Sequence, residues 1–398
     1  MSDARYTNKG FGLKQVIGGQ VVRDYASPLV DRMRAEGFSL TAGDLTFHLA
    51  QEFGFCYGVD RAVEYAYETR EKFPDKNLFI TGEIIHNPRV NGRLSDLGIR
   101  FLDGSDGNAS FATLRPDDVV LLPAFGVPVA TMGVLREAGC IVVDTTCGSV
   151  LNVWKNVERY SKEGFTALIH GKWDHEETRA TSSRALLHPG GHYLVVLNMD
   201  EARCVADYIE HGGDAAAFCQ RFARAISPGF DPDVHLHRLG CANQTTMLSG
   251  ESLAIAEYLR QALVARFGSD APATRFRAFD TICSATQERQ DALYAMLAAH
   301  RLDVLLVIGG YNSSNTTHLL EIGLAKGVPT FHIQDASGIA GAQLIRHQPL
   351  HQKTETSSDD WLANGPATVG VTAGASTPNA EIERVIRRVA GIRGIEPA

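Results

Sequence analysis

Val142-Val143-Asp144-Thr145-Thr146-Cys147 reads as a β-strand that ends in Asp-Thr-x-Cys and runs straight into a helix. The pattern returns at Phe279-Asp280-Thr281-Ile282-Cys283. A third cysteine has similar surroundings: Phe47-His48-Leu49 reads as a strand, Phe53-Gly54-Phe55-Cys56 follows, and a helix begins after it. Three cysteines far apart in the chain therefore stand at strand-to-helix junctions. A helix N-terminus carries partial positive charge and unbonded N–H groups, which favour a thiolate over a thiol. This context raises the question of whether the three sulfurs share one metal centre.

Outward from these junctions, strand and helix patterns alternate. Thr46 to Leu49, Leu78 to Gly82, Val119 to Leu122, Thr166 to Gly171, Val304 to Gly310 and Thr368 to Thr372 read as buried strands. Val59, Ala62, Val63 and Ala66 recur at helical spacing, as do Val150, Val153, Trp154 and Val157. Gln343 to Ala363 reads as a polar loop, and Tyr25 to Glu36 as a helix. Alternation of this kind predicts an α/β fold with parallel sheets. The rounds repeat three times, which divides the chain into an N-terminal extension (1–45), a first lobe (46–146), a second lobe (147–281) and a third lobe (282–398) with a closing strand and helix. Ligands in such sheets bind beyond the carboxyl ends of the strands. Three such ends facing one another would form one central site.

The chain has 398 residues, a formal charge of −8, 44% hydrophobic and 21% charged residues, the balance of an ordinary soluble protein. No basic block stands out, so nucleic-acid binding is not expected. Residues Met1 to Gly19 lack the apolar core of a signal peptide. The longest apolar stretch, Val119 to Leu135, is broken by Pro123, Gly126 and Pro128, so no membrane span is expected. Seven cysteines without a secretory signal point to the reducing cytoplasm. The absence of a Cys-x-x-Cys pair argues against a zinc ribbon.

Cys140, Cys204 and Cys219 read as small core residues, and Cys241 is harder to dismiss because it precedes Asn243-Gln244-Thr245-Thr246. All seven cysteines could equally be packing residues. If three thiolates do converge, soft sulfur favours an iron–sulfur cluster over a hard cation, and a 4Fe–4S cluster with three cysteines keeps one iron open. His86, His175, the Asn312-Ser313-Ser314-Asn315 run and Ser376 all follow strands or turns. Imidazoles, hydroxyls and helix-start N–H groups suit a phosphate or diphosphate. Taken singly, each histidine reads as a hydrogen-bonded half-buried residue, and the Asn-Ser-Ser-Asn run as a helix cap. Glu176 and Glu177 could deliver protons in a closed polar pocket, or simply sit on a solvated first helical turn. Thr245 could bond a substrate hydroxyl or cap a helix. There is no Walker motif and no Gly-x-Gly-x-x-Gly, so ATP and NAD are not the expected ligands.

Gly54-Phe55-Cys56-Tyr57-Gly58-Val59-Asp60-Arg61-Ala62, Glu83-Ile84-Ile85-His86-Asn87, Asp144-Thr145-Thr146-Cys147, His175-Glu176-Glu177, Asn243-Gln244-Thr245-Thr246, Asn312-Ser313-Ser314-Asn315 and Val371-Thr372-Ala373-Gly374-Ala375-Ser376 occur in that order. Together they resemble the 4-hydroxy-3-methylbut-2-enyl diphosphate reductase (LytB) family, which catalyses the last step of the non-mevalonate isoprenoid pathway. The resemblance runs from about residue 46 to the end. Residues 1–45 and the loop before Trp361 look like its longer cyanobacterial and plant-type branch. It implies a three-lobed, pseudo-threefold trefoil of α/β domains around a central iron–sulfur site. It further implies that Cys56, Cys147 and Cys283 hold a 4Fe–4S cluster with one open iron. His86, His175, Ser313, Ser314, Asn315 and Ser376 would grip the diphosphate, Thr245 would contact the substrate hydroxyl, and Glu177 would supply protons. Two external electrons, from ferredoxin or flavodoxin, and two protons would expel the hydroxyl as water and leave isopentenyl and dimethylallyl diphosphates. Two residues depart from the usual family pattern. Phe125, in Ala124-Phe125-Gly126-Val127, stands where many members have a pocket histidine, and Gly148 stands where a proline often follows the second cysteine. Two other readings stay open at this point: a quinolinate-synthase-like iron–sulfur dehydratase, and a non-catalytic diphosphate-binding redox sensor. The His-x-Glu at 175–177 separates the reductase from the sensor, which needs no proton donor.

Overall fold

The structure, a computed structural model, describes residues 5–102, 109–279 and 281–396. It is α/β, with strands in mainly parallel sheets, as the alternating pattern predicts. Two compact units emerge, each built from two separate pieces of chain: Met1–Asn8 with Asn108–Cys283, and Lys9–Gly107 with Ser284–Ala398.

The first unit contains a four-stranded parallel sheet in the order Phe276–Ala278, Leu239–Asn243, Thr166–His170, Tyr193–Val196. The two central strands are buried along their whole length, the signature of a sheet covered on both faces. The helices Met199–His211 and Ser249–Phe267 pack on each other. The helix Gly148–Lys162 contributes Val153, Val157 and Tyr160 to the same core. A further run of parallel strands joins Tyr6–Thr7, Ile141–Asp144 and Val119–Leu122, with Tyr6 opposite Val142 and Val119 opposite Ile141. Parallel strands deliver their chains to one edge. Here the strand Ile141–Asp144 leads to Cys147 in one sheet, and Thr166–His170 and Leu239–Asn243 lead to the loop 171–175 and the turn 244–246 in the other.

The second unit contains a five-stranded sheet in the order Thr330–Ile333, Val304–Ile308, Ala367–Ala373, Leu45–Leu49, Ser39–Ala42. Its pairs are parallel except the last, which is antiparallel. Strands Leu78–Ile80 and Ile99–Phe101 pair in parallel. Helix starts are set by local chemistry. Ser27 accepts from Val30 N at 3.0 Å to open Pro28–Ala35, and Asn87 accepts from Arg89 N and Val90 N, both at 3.1 Å, to open Pro88–Asp96. In both cases proline at the first turn costs nothing, because its missing N–H would have no helical partner.

The structure differs from the sequence reading in several places. The first strand of the lobe read over 46–146, Leu45–Leu49, pairs with Ala367–Ala373 near the C-terminus. Part of the N-terminal extension read over 1–45 is built into a core. Leu29, Val30, Met33, Leu40 and Ala42 belong to the main core of the second unit. The helix read over Tyr25 to Glu36 is present as Pro28–Ala35, started by the Ser27 cap, and a second helix, Lys14–Tyr25, precedes it that the sequence reading did not include. The polar segment 343–363 contains an antiparallel hairpin, Leu344–His347 with Thr356–Asp359. Its alternating exposed and buried residues, on the Leu344–His347 strand, are too short a run to read as a strand in sequence. The strand before Cys283 is Phe276–Ala278, and Phe279 lies outside it, covered by Arg159 at 4.6 Å from its ring. Asp280 lies outside the described residues.

One glycine fixes the packing of the first unit. Gly240, on the strand Leu239–Asn243, faces the ring of fully buried Tyr160, and a Cβ there would overlap that ring. The Tyr160 hydroxyl donates to Cys241 O at 3.1 Å, which holds the ring in place. Gly240→Ala is therefore expected to lower the unfolding free energy by about 1–3 kcal/mol through overpacking. The measurement is the denaturant midpoint, with the slope unchanged. An unmoved midpoint would mean that the ring yields without cost.

Candidate functional site

In the first unit the Asp-Thr-Thr-Cys turn is closed by the side chain of Asp144. Its Oδ1 accepts from Thr146 N at 2.8 Å and from Thr146 Oγ1, and its Oδ2 accepts from Tyr6 OH at 2.6 Å. Thr145 Oγ1 donates to Leu122 O at 2.6 Å. Cys147 then caps the helix Gly148–Lys162 without spending its sulfur on a cap bond. Ser149, the second residue of that helix, lies 3.5 Å from Cys283 Sγ through its Oγ, so the start of the helix that follows Cys147 touches Cys283.

Beside Cys283 stands a buried acid. Glu177 is 3% exposed. Its Oε1 accepts from Thr245 N at 2.6 Å, and its Oε2 accepts from Thr245 Oγ1 at 3.0 Å. The carbonyl of Thr245 accepts from Cys283 N at 3.1 Å. One residue, Thr245, thus links the acid to the cysteine. Gln244 holds the strand ends together: its Oε1 accepts from Lys172 N and Thr178 Oγ1, each at 3.1 Å. His175 caps the helix Glu176–Ala185, and its Nδ1 accepts from Glu177 N at 3.1 Å. A ring nitrogen that accepts leaves the proton of the neutral imidazole on Nε2, where it can be donated to an anion.

Phe125 is in this unit too. Its ring meets that of His175 edge-on, with centroids 6.2 Å apart at 71°. The aromatic residue thus braces His175. Gly126 follows with φ +74°, and a Cβ there would overlap the indole of Trp154. Gly148 occupies the first helical position, where a proline would also fit, so its presence alters only stiffness.

In the second unit Cys56 caps the helix Tyr57–Lys72, again without a side-chain cap bond, and its N–H donates to Ala375 O at 3.2 Å. Asn315 Oδ1 accepts from Ala375 N at 3.0 Å, and Ser376 Oγ donates to His86 O at 3.1 Å. Ser313 caps the helix Ser314–Ala325, accepting from Thr316 N at 3.3 Å. Cys56, His86, Ser313, Ser314, Asn315 and Ser376 are in this way knitted into one cluster. The approach is close: at Gly310 a Cβ would land on the His86 carbonyl oxygen, so only glycine fits. His86 Nδ1 pairs with Glu83 Oε2 at 2.8 Å, which fixes the ring.

The remaining cysteines separate cleanly. Cys241 is a buried core residue whose thiol is pushed up to about 12 by burial, so it is no thiolate donor. Cys140 is buried and also raised, and Cys204 and Cys219 pack half-buried against the core. Cys56, Cys147 and Cys283 are partly exposed, free of disulfides, and stand at or directly before helix starts. Three soft sulfur donors of this kind fit an iron–sulfur group and do not fit a hard cation.

Three supporting residues were given no role by the sequence: Glu83 and Asp144 stand only as parts of quoted motifs, and Arg289 stands in none. Glu83 orients His86, Asp144 closes the turn, and Arg289, 3% exposed, donates through Nη2 to Gly54 O at 2.6 Å, two residues before Cys56. A mid-helix arginine reads as a solvated charge, and nothing in the sequence marks Arg289 otherwise. Asp144 did carry a signal, an Asx turn two residues ahead of a helix. Asp144→Ala removes the acceptor of three hydrogen bonds and is expected to cost on the order of 2–4 kcal/mol, against about 1 kcal/mol for Tyr6→Phe. Thermal unfolding of the two variants checks this. Equal and small effects would mean that the turn closes without the carboxylate.

Comparison with known proteins gives this geometry a family. The family model described as LytB protein matches residues 47–390. A 4-hydroxy-3-methylbut-2-enyl diphosphate reductase from Thermosynechococcus vestitus is 49% identical over 394 residues, covering 99% of this chain and 96% of that protein. The reductase of the same name from Gloeobacter violaceus is 48% identical over 399 residues, covering 99% and 94%. A solved structure of (E)-4-hydroxy-3-methyl-but-2-enyl diphosphate reductase, the terminal enzyme of the non-mevalonate pathway, aligns with a TM-score of 0.52 and 26% identity over 87% of this chain and 99% of that one. A solved E-1-hydroxy-2-methyl-but-2-enyl-4-diphosphate reductase from Plasmodium falciparum, 22% identical, shares the fold with a TM-score of 0.61 over 85% and 86% of the two chains. The match of the family model, and near-full-length identity to these relatives, show that the chain belongs to the LytB family.

Proposed function

We propose that this chain is an iron–sulfur oxidoreductase that converts 4-hydroxy-3-methylbut-2-enyl diphosphate into isopentenyl and dimethylallyl diphosphates. The reaction breaks the allylic C–O bond, takes up two external electrons and two protons, and releases the oxygen as water. The observation that carries this reading is the buried Glu177–Thr245 pair joined to Cys283. Neither a diphosphate-binding sensor nor a packing role needs a buried acid bonded to a hydroxyl at that position.

Cys56, Cys147 and Cys283 would hold a 4Fe–4S cluster. When bound, this group supplies the electrons to the substrate and a Lewis-acidic open iron. The chain itself handles protons and charge. Thr245 Oγ1 donates to Glu177 when the acid is ionised. When Glu177 carries a proton, the bond reverses, and the threonine hydroxyl can turn its own hydrogen toward a leaving hydroxyl. Burial of Glu177 keeps bulk water from competing for that proton. On the diphosphate, His175 Nε2–H, His86, the hydroxyls of Ser313, Ser314 and Ser376, and Asn315 serve as donors. The first turn of Ser314–Ala325 adds backbone N–H groups. The electrons would come from a small carrier protein, ferredoxin or flavodoxin. Seven free cysteines fit a reducing cytoplasm, and no helix among the described residues is long and apolar enough to cross a membrane.

The deciding experiment is anaerobic reduction of 4-hydroxy-3-methylbut-2-enyl diphosphate with a chemical reductant, following both products. Formation of neither product would overturn the reading. Glu177→Gln is expected to keep cluster absorption and substrate affinity while kcat falls by about 10²- to 10⁴-fold. Near-normal turnover would remove Glu177 from the proton path. Cys283→Ser is expected to lose most of the cluster signal by absorption and EPR, and an unaltered signature would take Cys283 out of the ligand set.

A further inference from the structure

The hairpin Leu344–His347 with Thr356–Asp359 has no part in the scheme above, yet its connecting loop is tied to the diphosphate-binding cluster. Tyr311 OH donates to Glu355 Oε1 at 2.8 Å. Burial and this carboxylate together push the phenol well above its usual value, so the donor keeps its proton. The Tyr311 ring lies edge-on to His332 at 5.0 Å. Buried His332 in turn donates through Nε2 to Gly309 O at 3.0 Å. The loop is thus anchored on the turn 309–312, which leads directly into Ser313, Ser314 and Asn315.

Next to this anchor lies a cavity of about 210 Å³, lined by Glu83, His86, Tyr311, Asn312, Gln348 and Lys353 among others. Lys353 is the only lysine or arginine among its lining residues. Both nearby carboxylates are engaged elsewhere, Glu83 with His86 and Glu355 with Tyr311. Lys353 makes no ion pair among the described residues. The donors assigned to the diphosphate are imidazoles, hydroxyls and an amide. None of them is a lysine or arginine, although the ligand carries several negative charges.

We propose that this cavity is an anion subsite for the terminal phosphate of the diphosphate substrate, and that Lys353, held over it by the Tyr311–Glu355 bond, supplies the countercharge. The inference rests on the proposed function in one respect, the assignment of His86 to the diphosphate. A point charge on a flexible stem suits this task, because it can follow the phosphate inward as the ligand seats. Its contribution would be made equally to the ground and transition states, so it would act on affinity and not on the chemical step.

The test is titration of the full-length, cluster-loaded protein with inorganic pyrophosphate by calorimetry at low and high salt. Lys353→Gln is expected to weaken binding about tenfold at low salt, and less at high salt. Lys353→Arg should remain within about twofold of the parent, since the charge is kept. Lys72→Gln, the same charge change on an exposed helix end of this unit, should have no effect. In turnover with the allylic diphosphate, Lys353→Gln should raise KM with kcat unchanged. Pyrophosphate affinity unchanged in Lys353→Gln, or lost equally in Lys72→Gln, would overturn the proposal. If the parent protein fails to reduce the allylic diphosphate, the proposed function falls, and the pyrophosphate titration still decides the role of Lys353.

Discussion

Parallel pairing is the constraint on which the site depends. A parallel strand must hand its chain to the same sheet edge as its neighbour, so the loops that follow collect there. In the first unit this places Cys147, His175, Glu177 and Thr245 at the ends of Ile141–Asp144, Thr166–His170 and Leu239–Asn243. In the second it places Ser313 and Ser376 beyond Val304–Ile308 and Ala367–Ala373. Each loop turns at once into a helix, and each helix start leaves N–H groups unbonded. A cysteine or serine at that point is surrounded by donors without any further device.

The same edge creates a cost that the sequence must meet. Polar groups taken from water need partners, and a buried carboxylate needs them most. Glu177 has both oxygens bonded by one threonine, and Asp144 has both bonded by Thr146 and Tyr6. These bonds hold the loops with few usable alternatives. The result is a set of side chains whose positions are fixed before any ligand arrives, which is the condition for charge and proton chemistry in a dry pocket.

The α/β class, the parallel strands and the junction cysteines were legible because they depend on local pattern. Strands buried on both faces read as unbroken apolar runs, and helices as 3.6-residue periods. The boundaries between units were not legible, because they depend on which distant strands pair. Nothing near Leu45–Leu49 announces Ala367–Ala373 as its partner. The supporting residues were missed for a related reason. Glu83 and Arg289 act across chain separations or loop geometries that leave no periodic trace, whereas His175 and Glu177 stood out through a resemblance that already contained them. Phe125 shows the reverse case: a departure visible in the sequence gained its meaning only from the ring it touches.

The pairing of Leu45–Leu49 with Ala367–Ala373 also has a consequence for how the chain is made. The N-terminal strand leaves the ribosome long before its partner exists. At about 5–20 residues per second, the roughly 320 residues between them take on the order of 15–60 s to synthesise. During that interval the apolar faces of Leu29, Val30, Met33, Phe47 and Leu49 have no sheet to cover them. Long-range parallel pairing is slow and leaves strand edges open to wrong partners. A nascent chain of this topology is therefore one that needs shielding during translation, and its yield in a foreign host should depend on the supply of chaperones more than on the stability of the finished fold.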